Sequence, residues 1–109
     1  MRASLLPALL LAAACARVGR PAPPVATDHV DLPRSYVFRP EDIVVAPGTR
    51  VTWTNHDQFT HAVRFRGALD TLMIMRPGDS VSYSFTRPGR FPYDCVFHAQ
   101  AMHGSVLVR

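Results

Sequence analysis

Three side chains that bind soft metal ions lie close together near the C-terminus. The segment Cys95-Val-Phe-His98-Ala-Gln-Ala-Met102 offers a thiolate, an imidazole and a thioether within one short stretch. His61 supplies a second imidazole, in a polar segment that starts at Asn55. One Cys, two His and a weaker Met form the ligand set of copper sites that transfer electrons. The sequence therefore predicts such a site, provided that the fold brings His61 to the later segment.

The residue pattern around two of these side chains predicts that both point inward. Phe91, Tyr93 and Cys95 occupy alternate positions of one predicted strand, so they share its apolar face. His61 starts another predicted strand and shares a face with Val63. We therefore expect both ligand candidates at strand ends, directed into the interior, where one loop could complete the site.

The elements that must position these residues are predicted to be β-strands. Val51 and Trp53 alternate with polar neighbours, and a first strand is expected through Tyr36 and Phe38. Turn signals separate the strands at Pro47-Gly48, Pro77-Gly78 and Pro88-Gly89. This pattern, without an amphipathic helix, predicts an all-β domain over residues 35–109, an antiparallel β-sandwich of Greek-key type.

The N-terminal segment has the features of an export signal. A positive start, a short apolar run and three alanines predict a signal peptide over residues 1–14. The apolar run is shorter than the roughly 20 residues of a transmembrane helix. Leu11-Ala-Ala-Ala-Cys15 resembles a bacterial lipoprotein signal, although Ala12 stands where such signals usually carry Leu. Lipidation of Cys15 and ordinary cleavage at Ala14 or Ala16 both remain open, and either places the protein in the bacterial periplasm or cell envelope.

Residues 15–34 contain four prolines and few large apolar side chains, so we predict an extended tether there. Without the signal, 11 Arg against 8 acidic residues leave a formal charge of 11 − 8 = +3. The Arg residues are scattered and do not form a basic block, so nucleic-acid binding is not expected. A weak positive charge is better suited to steering toward an acidic partner.

Cys95 is predicted to have no disulfide partner, because the other cysteine lies at the processing site. A free thiol in an oxidising compartment is protected if it binds a metal. The alternative is an inert buried Cys that packs as a small hydrophobic residue.

The chain resembles the small blue-copper cupredoxins, particularly amicyanin and plastocyanin, over about residues 35–109. The resemblance rests on the segment Val45-Ala-Pro-Gly-Thr-Arg-Val-Thr-Trp-Thr-Asn55, the spacing from Asn55 to His61, Pro88-Gly-Arg-Phe-Pro-Tyr93, and Cys95-x-x-His98-x-x-x-Met102 followed by Gly104-Ser-Val-Leu-Val108. It implies one type 1 copper ion.

By position, the resemblance implies that His61, Cys95 and His98 are the equatorial ligands and Met102 the weak axial ligand. His103 remains an alternative to Met102. Many relatives carry Asn after the first ligand His, where its side chain ties the ligand loops together, but this chain has Ala62.

We expect an electron carrier that exchanges single electrons with redox partner proteins, and we expect it to be a monomer. A copper-binding module for copper delivery or tolerance is the alternative. A Cys/His hydrolase is disfavoured, because Cys95 and His98 lie on one loop without an oxyanion-hole signature. The protein is therefore not expected to be an enzyme.

Overall fold

The computed structural model describes residues 3–4, 20, 22–67 and 69–109. These residues form nine strands: β1 (Val25–Ala26), β2 (His29–Leu32), β3 (Asp42–Val45), β4 (Thr49–Asn55), β5 (His61–Phe65), β6 (Thr71–Met75), β7 (Ser80–Phe85), β8 (Gly89–Asp94) and β9 (His103–Val108). Within the described ranges there is no helix long and apolar enough to cross a membrane. Apart from residues 3 and 4, the predicted signal peptide lies outside the described residues, and so does Cys15.

The strands form two sheets. One sheet has six strands in the order β1-β3-β9-β8-β5-β6, and the other has three in the order β2-β4-β7. The predicted all-β sandwich is confirmed, but its sheets are mixed. Strand β1 runs parallel to β3, β2 to β4, and β3 to β9, whereas the pairs β4–β7, β5–β6, β5–β8 and β8–β9 are antiparallel.

The core lies between the sheets and is rich in aromatic rings. The Trp53 ring packs edge-on against Phe65 and Tyr93, with centroid separations of 5.9 and 5.5 Å. Trp53, Phe65 and Tyr93 come from both sheets and are buried. Such edge-to-face pairs add to the stabilisation that burial itself supplies. This core holds the strand ends that carry His61 and Cys95 in fixed relative positions.

The predicted tether is wrong for the part that forms β1 and β2. Val30 and Leu32 are fully buried, and β2 pairs in register with β4. The folded domain therefore begins before residue 35. The segment His29-Val-Asp-Leu32 does alternate polar and apolar residues, but its short length and the prolines on both sides concealed a strand whose order comes from tertiary packing.

The predicted strand through Tyr36 and Phe38 is also wrong. Residues 33–41 form no strand, and Arg39 makes only an isolated bridge to Asp31 of β2. Tyr36 adopts a positive φ of 53°, which interrupts any extended strand. Phe38 is nevertheless buried, so the apolar alternation marked a core contact within a loop.

Candidate metal centre

His61 and Cys95 come to the same edge of the six-stranded sheet. Strands β5 and β8 are antiparallel neighbours, with Arg64 opposite Asp94, so the start of β5 lies beside the end of β8. His61 is the first residue of β5, and Cys95 directly follows β8. Both side chains are fully buried, and His61 Nδ1 lies 3.8 Å from Cys95 Sγ. The inward orientation expected from strand alternation is therefore present for both residues.

The other ring nitrogen of His61 is held by a buried carboxylate. Nε2 lies 2.8 Å from Asp57 Oδ2, and both side chains are buried. An ionised carboxylate only accepts hydrogen bonds, so Nε2–H donates to it. In a neutral imidazole this leaves Nδ1 without a proton, with its lone pair directed toward Cys95.

Asp57 is itself fixed by the loop between β4 and β5. Its Oδ1 accepts a hydrogen bond from the Gln58 backbone N–H at 2.7 Å, and its own N–H donates to Asn55 Oδ1 at 2.9 Å. The hydrogen bond from His61 is the main cause that lowers the pKa of Asp57; burial opposes it, while the Gln58 N–H and the charge of Arg34 lower the pKa further. The carboxylate is therefore ionised at neutral pH.

The Cys95 thiol has few polar contacts within the domain. The backbone N–H of Ala62 donates a hydrogen bond to Sγ at 3.4 Å, a contact that would also stabilise a thiolate. Four backbone hydrogen bonds close the following loop; in two of them the Cys95 N–H donates to the Met102 carbonyl at 3.0 Å and the Met102 N–H donates to the His98 carbonyl at 2.8 Å. This closure keeps Met102 fully buried next to the strand end.

His98 lies in this loop and is half-buried. Its ring packs edge-on against Tyr36, with centroids 4.8 Å apart, and lies 5.6 Å from the His61 ring. Tyr36 also stacks on Phe59 at 5.9 Å. Tyr36, Phe59 and Phe97 are 38%, 53% and 52% exposed, and we call these three the aromatic rim. Tyr36 thus contacts the partly accessible His98, Phe59 contacts Tyr36, and Phe97 precedes His98 in the chain, so the imidazole has exposed apolar neighbours.

The pair formed by His61 and Cys95 has the spacing that a shared metal ion requires. Metal–sulfur and metal–nitrogen bonds of about 2.3 and 2.0 Å at a trigonal angle place the two atoms about 3.7 Å apart. The observed 3.8 Å between Sγ and Nδ1 agrees with that value. In the part of the chain that the structure describes, no three His, Cys, Asp or Glu side chains are already grouped tightly enough to hold a metal. The His98 ring lies 5.6 Å from the His61 ring, so the third candidate ligand is a neighbour of this pair.

A family model for copper-binding proteins of the plastocyanin/azurin family matches residues 29–109. The chain belongs to this family. The cupredoxin fold is shared with a novel purple cupredoxin from Nitrosopumilus maritimus, at 23% identity and a TM-score of 0.66, over 74% of this chain and 98% of that one. A reduced amicyanin mutant is 28% identical with a TM-score of 0.68, over 74% of this chain and 80% of that one. No match was found among curated protein sequences.

The other histidines of this cupredoxin are directed away from the candidate centre. His103 is exposed and pairs with Glu41, with Nδ1 3.0 Å from Oε1. His29 and His56 are exposed, and their Nε2 atoms lie 3.3 and 2.9 Å from Asp31 Oδ1. His56 therefore lies at the surface.

The methionines of β6 also lie in positions that packing explains. Met75 is buried in the core, and Met73 is half-buried against it. Met75 lies opposite His61 in the pairing of β5 with β6, so its backbone supports the strand that carries the histidine.

Two residues at the centre of this cupredoxin were not identified from its sequence. Asp57 is an acidic residue four positions before His61, and that spacing was the available signal. Tyr36 was assigned to a strand, because its alternation with Phe38 concealed its position in a loop. Both contacts depend on loop conformation, which strand periodicity does not describe.

Proposed function

We propose that this cupredoxin is a type 1 copper electron carrier that binds one copper ion through His61, Cys95 and His98, with Met102 as the weak axial ligand. The observation that carries the proposal is the buried contact between Cys95 Sγ and His61 Nδ1. The membership of the chain in a copper-binding family supports the metal. The outward orientation of His103 supports Met102 in preference to it.

The residues of the site have separate roles in this proposal. A bound copper ion would supply a one-electron couple, since thiolate and imidazole ligands suit both of its oxidation states. The sandwich core holds Cys95 and His61 at strand ends, so the two ligands need little movement when the charge of the site changes. Burial of both side chains excludes water from the thiolate.

We propose that electrons enter and leave through His98. Its ring is half-buried, and the aromatic rim provides an exposed apolar surface around it. A redox partner protein with a matching apolar patch could approach the ring closely there, and the weakly positive chain favours an acidic partner. The protein would act as a monomer that carries electrons and does not itself catalyse a chemical reaction.

We also propose that the protein is exported to the bacterial periplasm or cell envelope, where it is anchored by lipid on Cys15. If so, intact-mass analysis of the processed protein should show a chain that starts at Cys15 and carries acyl groups. Cys15→Ser should release the protein from the membrane fraction or leave it unprocessed. An unmodified chain starting after Ala14 or Ala16 would contradict the anchor.

The axial residue tests the proposed electron-carrier function. Met102→Leu should retain copper while its reduction potential rises by at least about 59 mV, a tenfold change in the relative affinities for the two oxidation states. The thioether contributes to the balance between those states, and Leu removes the sulfur at similar volume. Voltammetry measures the shift. Met73→Leu, at a half-buried Met that lies opposite Val63 and packs against the core, is the control and should leave the potential unchanged.

Two measurements on the wild-type protein, electron self-exchange and transfer of Cu(I) to a chelator, separate the carrier from a protein for copper delivery. A carrier should exchange electrons rapidly with itself and keep its copper in both oxidation states. Wild-type protein that passes Cu(I) quickly to a competing chelator and shows slow self-exchange would support delivery in place of electron transfer.

A further inference from the structure

We propose that Asp57 is a positioning residue that fixes the ring of His61 for metal binding and, through its buried negative charge, favours the oxidised site. This inference rests on the proposed copper function. Asp57 is not itself one of the four candidate ligands.

The hydrogen bonds of Asp57 leave its carboxylate little freedom. One oxygen accepts from the Gln58 N–H and the other from His61 Nε2, at 2.7 and 2.8 Å. Asn55 anchors the loop, since its amide donates to the carbonyls of Phe59 and Met75 at 2.8 and 3.2 Å. The carboxylate is therefore held by the loop and by the neighbouring strand, and it holds His61 in turn.

This arrangement determines which nitrogen of His61 can bind a metal. Because Nε2–H donates to Asp57, the lone pair of Nδ1 is free and faces Cys95 Sγ. A carboxylate that accepts from a ligating histidine fixes its tautomer and raises its basicity. The ring of His61 is thus oriented before any metal arrives.

The burial of Asp57 gives its charge an effect on the centre. The Asp57 side chain is 3% exposed and the histidine between it and the thiolate is fully buried, so water screens the charge poorly. A negative charge next to the site favours the oxidation state with the higher positive charge. Asp57 should therefore lower the reduction potential.

Asp31 provides a matched comparison on the surface. Its Oδ1 lies 2.9 Å from His56 Nε2, nearly the separation found between Asp57 and His61. The side chains of Asp31 and His56, however, are both about half exposed. Water screens such a pair, and neither residue belongs to the candidate centre. Asp57→Asn and Asp31→Asn therefore make the same chemical change in a buried and in an exposed histidine–carboxylate pair.

We expect Asp57→Asn to raise the reduction potential of the copper-loaded protein by at least about 59 mV, a tenfold change in the ratio of Cu(II) to Cu(I) affinity. Asp31→Asn should change that ratio less than twofold. Voltammetry measures both variants at one pH, and the charge-transfer band should shift in Asp57→Asn alone. The inference would be overturned if Asp57→Asn changed the ratio of Cu(II) to Cu(I) affinity less than twofold, or if it lowered the reduction potential.

The metal-free protein tests the positioning role directly. Nitrogen-15 NMR of wild-type apoprotein should show His61 with the proton on Nε2, and the proton should partly move to Nδ1 in Asp57→Asn. A wild-type ring that carries its proton on Nδ1 would overturn the inference, even if Asp57→Asn does not fold. This measurement needs no copper, so it tests the positioning role by itself. The proposed function would be contradicted by a different result, the failure of wild-type protein to bind copper.

Discussion

Replacing Cys95 by Ser is expected to abolish the intense colour of the Cu(II)-loaded protein. In the proposed site the colour would arise from charge transfer between a thiolate and copper, and Cys95 is the thiol that lies 3.8 Å from His61 Nδ1. A hydroxyl of similar shape fits the same space but does not supply a thiolate donor. Visible absorption during Cu(II) titration of both proteins measures the effect, which should be complete.

Folding of the Cys95→Ser variant is the control for this result. The Ala62 N–H can donate to the new hydroxyl as it does toward Sγ, so the apoprotein should lose only about 1–2 kcal/mol of unfolding free energy. Met73→Leu, in the same strand but opposite Val63, should keep the full colour. If Cys95→Ser folded normally and kept the wild-type absorption, the thiolate would not be the ligand.

Replacing Gly104 by Ala is expected to lower the free energy of unfolding more than Cys95→Ser does. A Cβ at this position would lie 2.7 Å from both Cζ and the hydroxyl oxygen of Tyr93, and still closer to the backbone carbonyl of Glu41. Tyr93 is packed in the core, where burial raises the pKa of its hydroxyl above the usual range. Neither neighbour can move aside without disturbing the sheet, so unfolding free energy should fall by about 3 kcal/mol. Denaturant unfolding of the apoprotein measures it.

Gly78 provides the control for that substitution. It lies in a turn with a φ of 84°, and a Cβ there would have nothing within 4 Å. Asn tolerates this left-handed conformation better than other residues with a side chain, so Gly78→Asn should cost under about 1 kcal/mol. Equal stability of Gly104→Ala and wild type would show that β9 does not approach Tyr93 as closely as described.

The strands that carry the ligand candidates were predictable because their side chains alternate with a period of two. His61 and Cys95 both point inward as their strands required. The same logic failed for β2, which is four residues long and lies in a proline-rich region. It also failed for Tyr36, which has a positive φ and lies in a loop between Pro33 and Pro40. Short strands and loops take their conformation from packing that local sequence does not contain.

The parallel pairings and the position of Asp57 depend on the same long-range contacts. Strand β2 joins β4 in parallel only because the segment between β2 and β3 crosses from one sheet to the other. Asp57 meets His61 because Asn55 folds the intervening loop through hydrogen bonds to Phe59 and Met75. Sequence spacing indicated the ligand candidates, and it offered only the four-residue separation of Asp57 and His61 as a sign of their contact, which the loop conformation decides.

The most direct test of the central claim is X-ray absorption at the copper edge of Cu(II)-loaded wild-type protein. The proposed site predicts one copper per chain with a single short sulfur ligand and two imidazole nitrogens, and loss of the sulfur signal in Cys95→Ser. A copper environment of nitrogen and oxygen ligands alone in the wild-type protein would contradict the assignment of Cys95, His61 and His98 as its ligands.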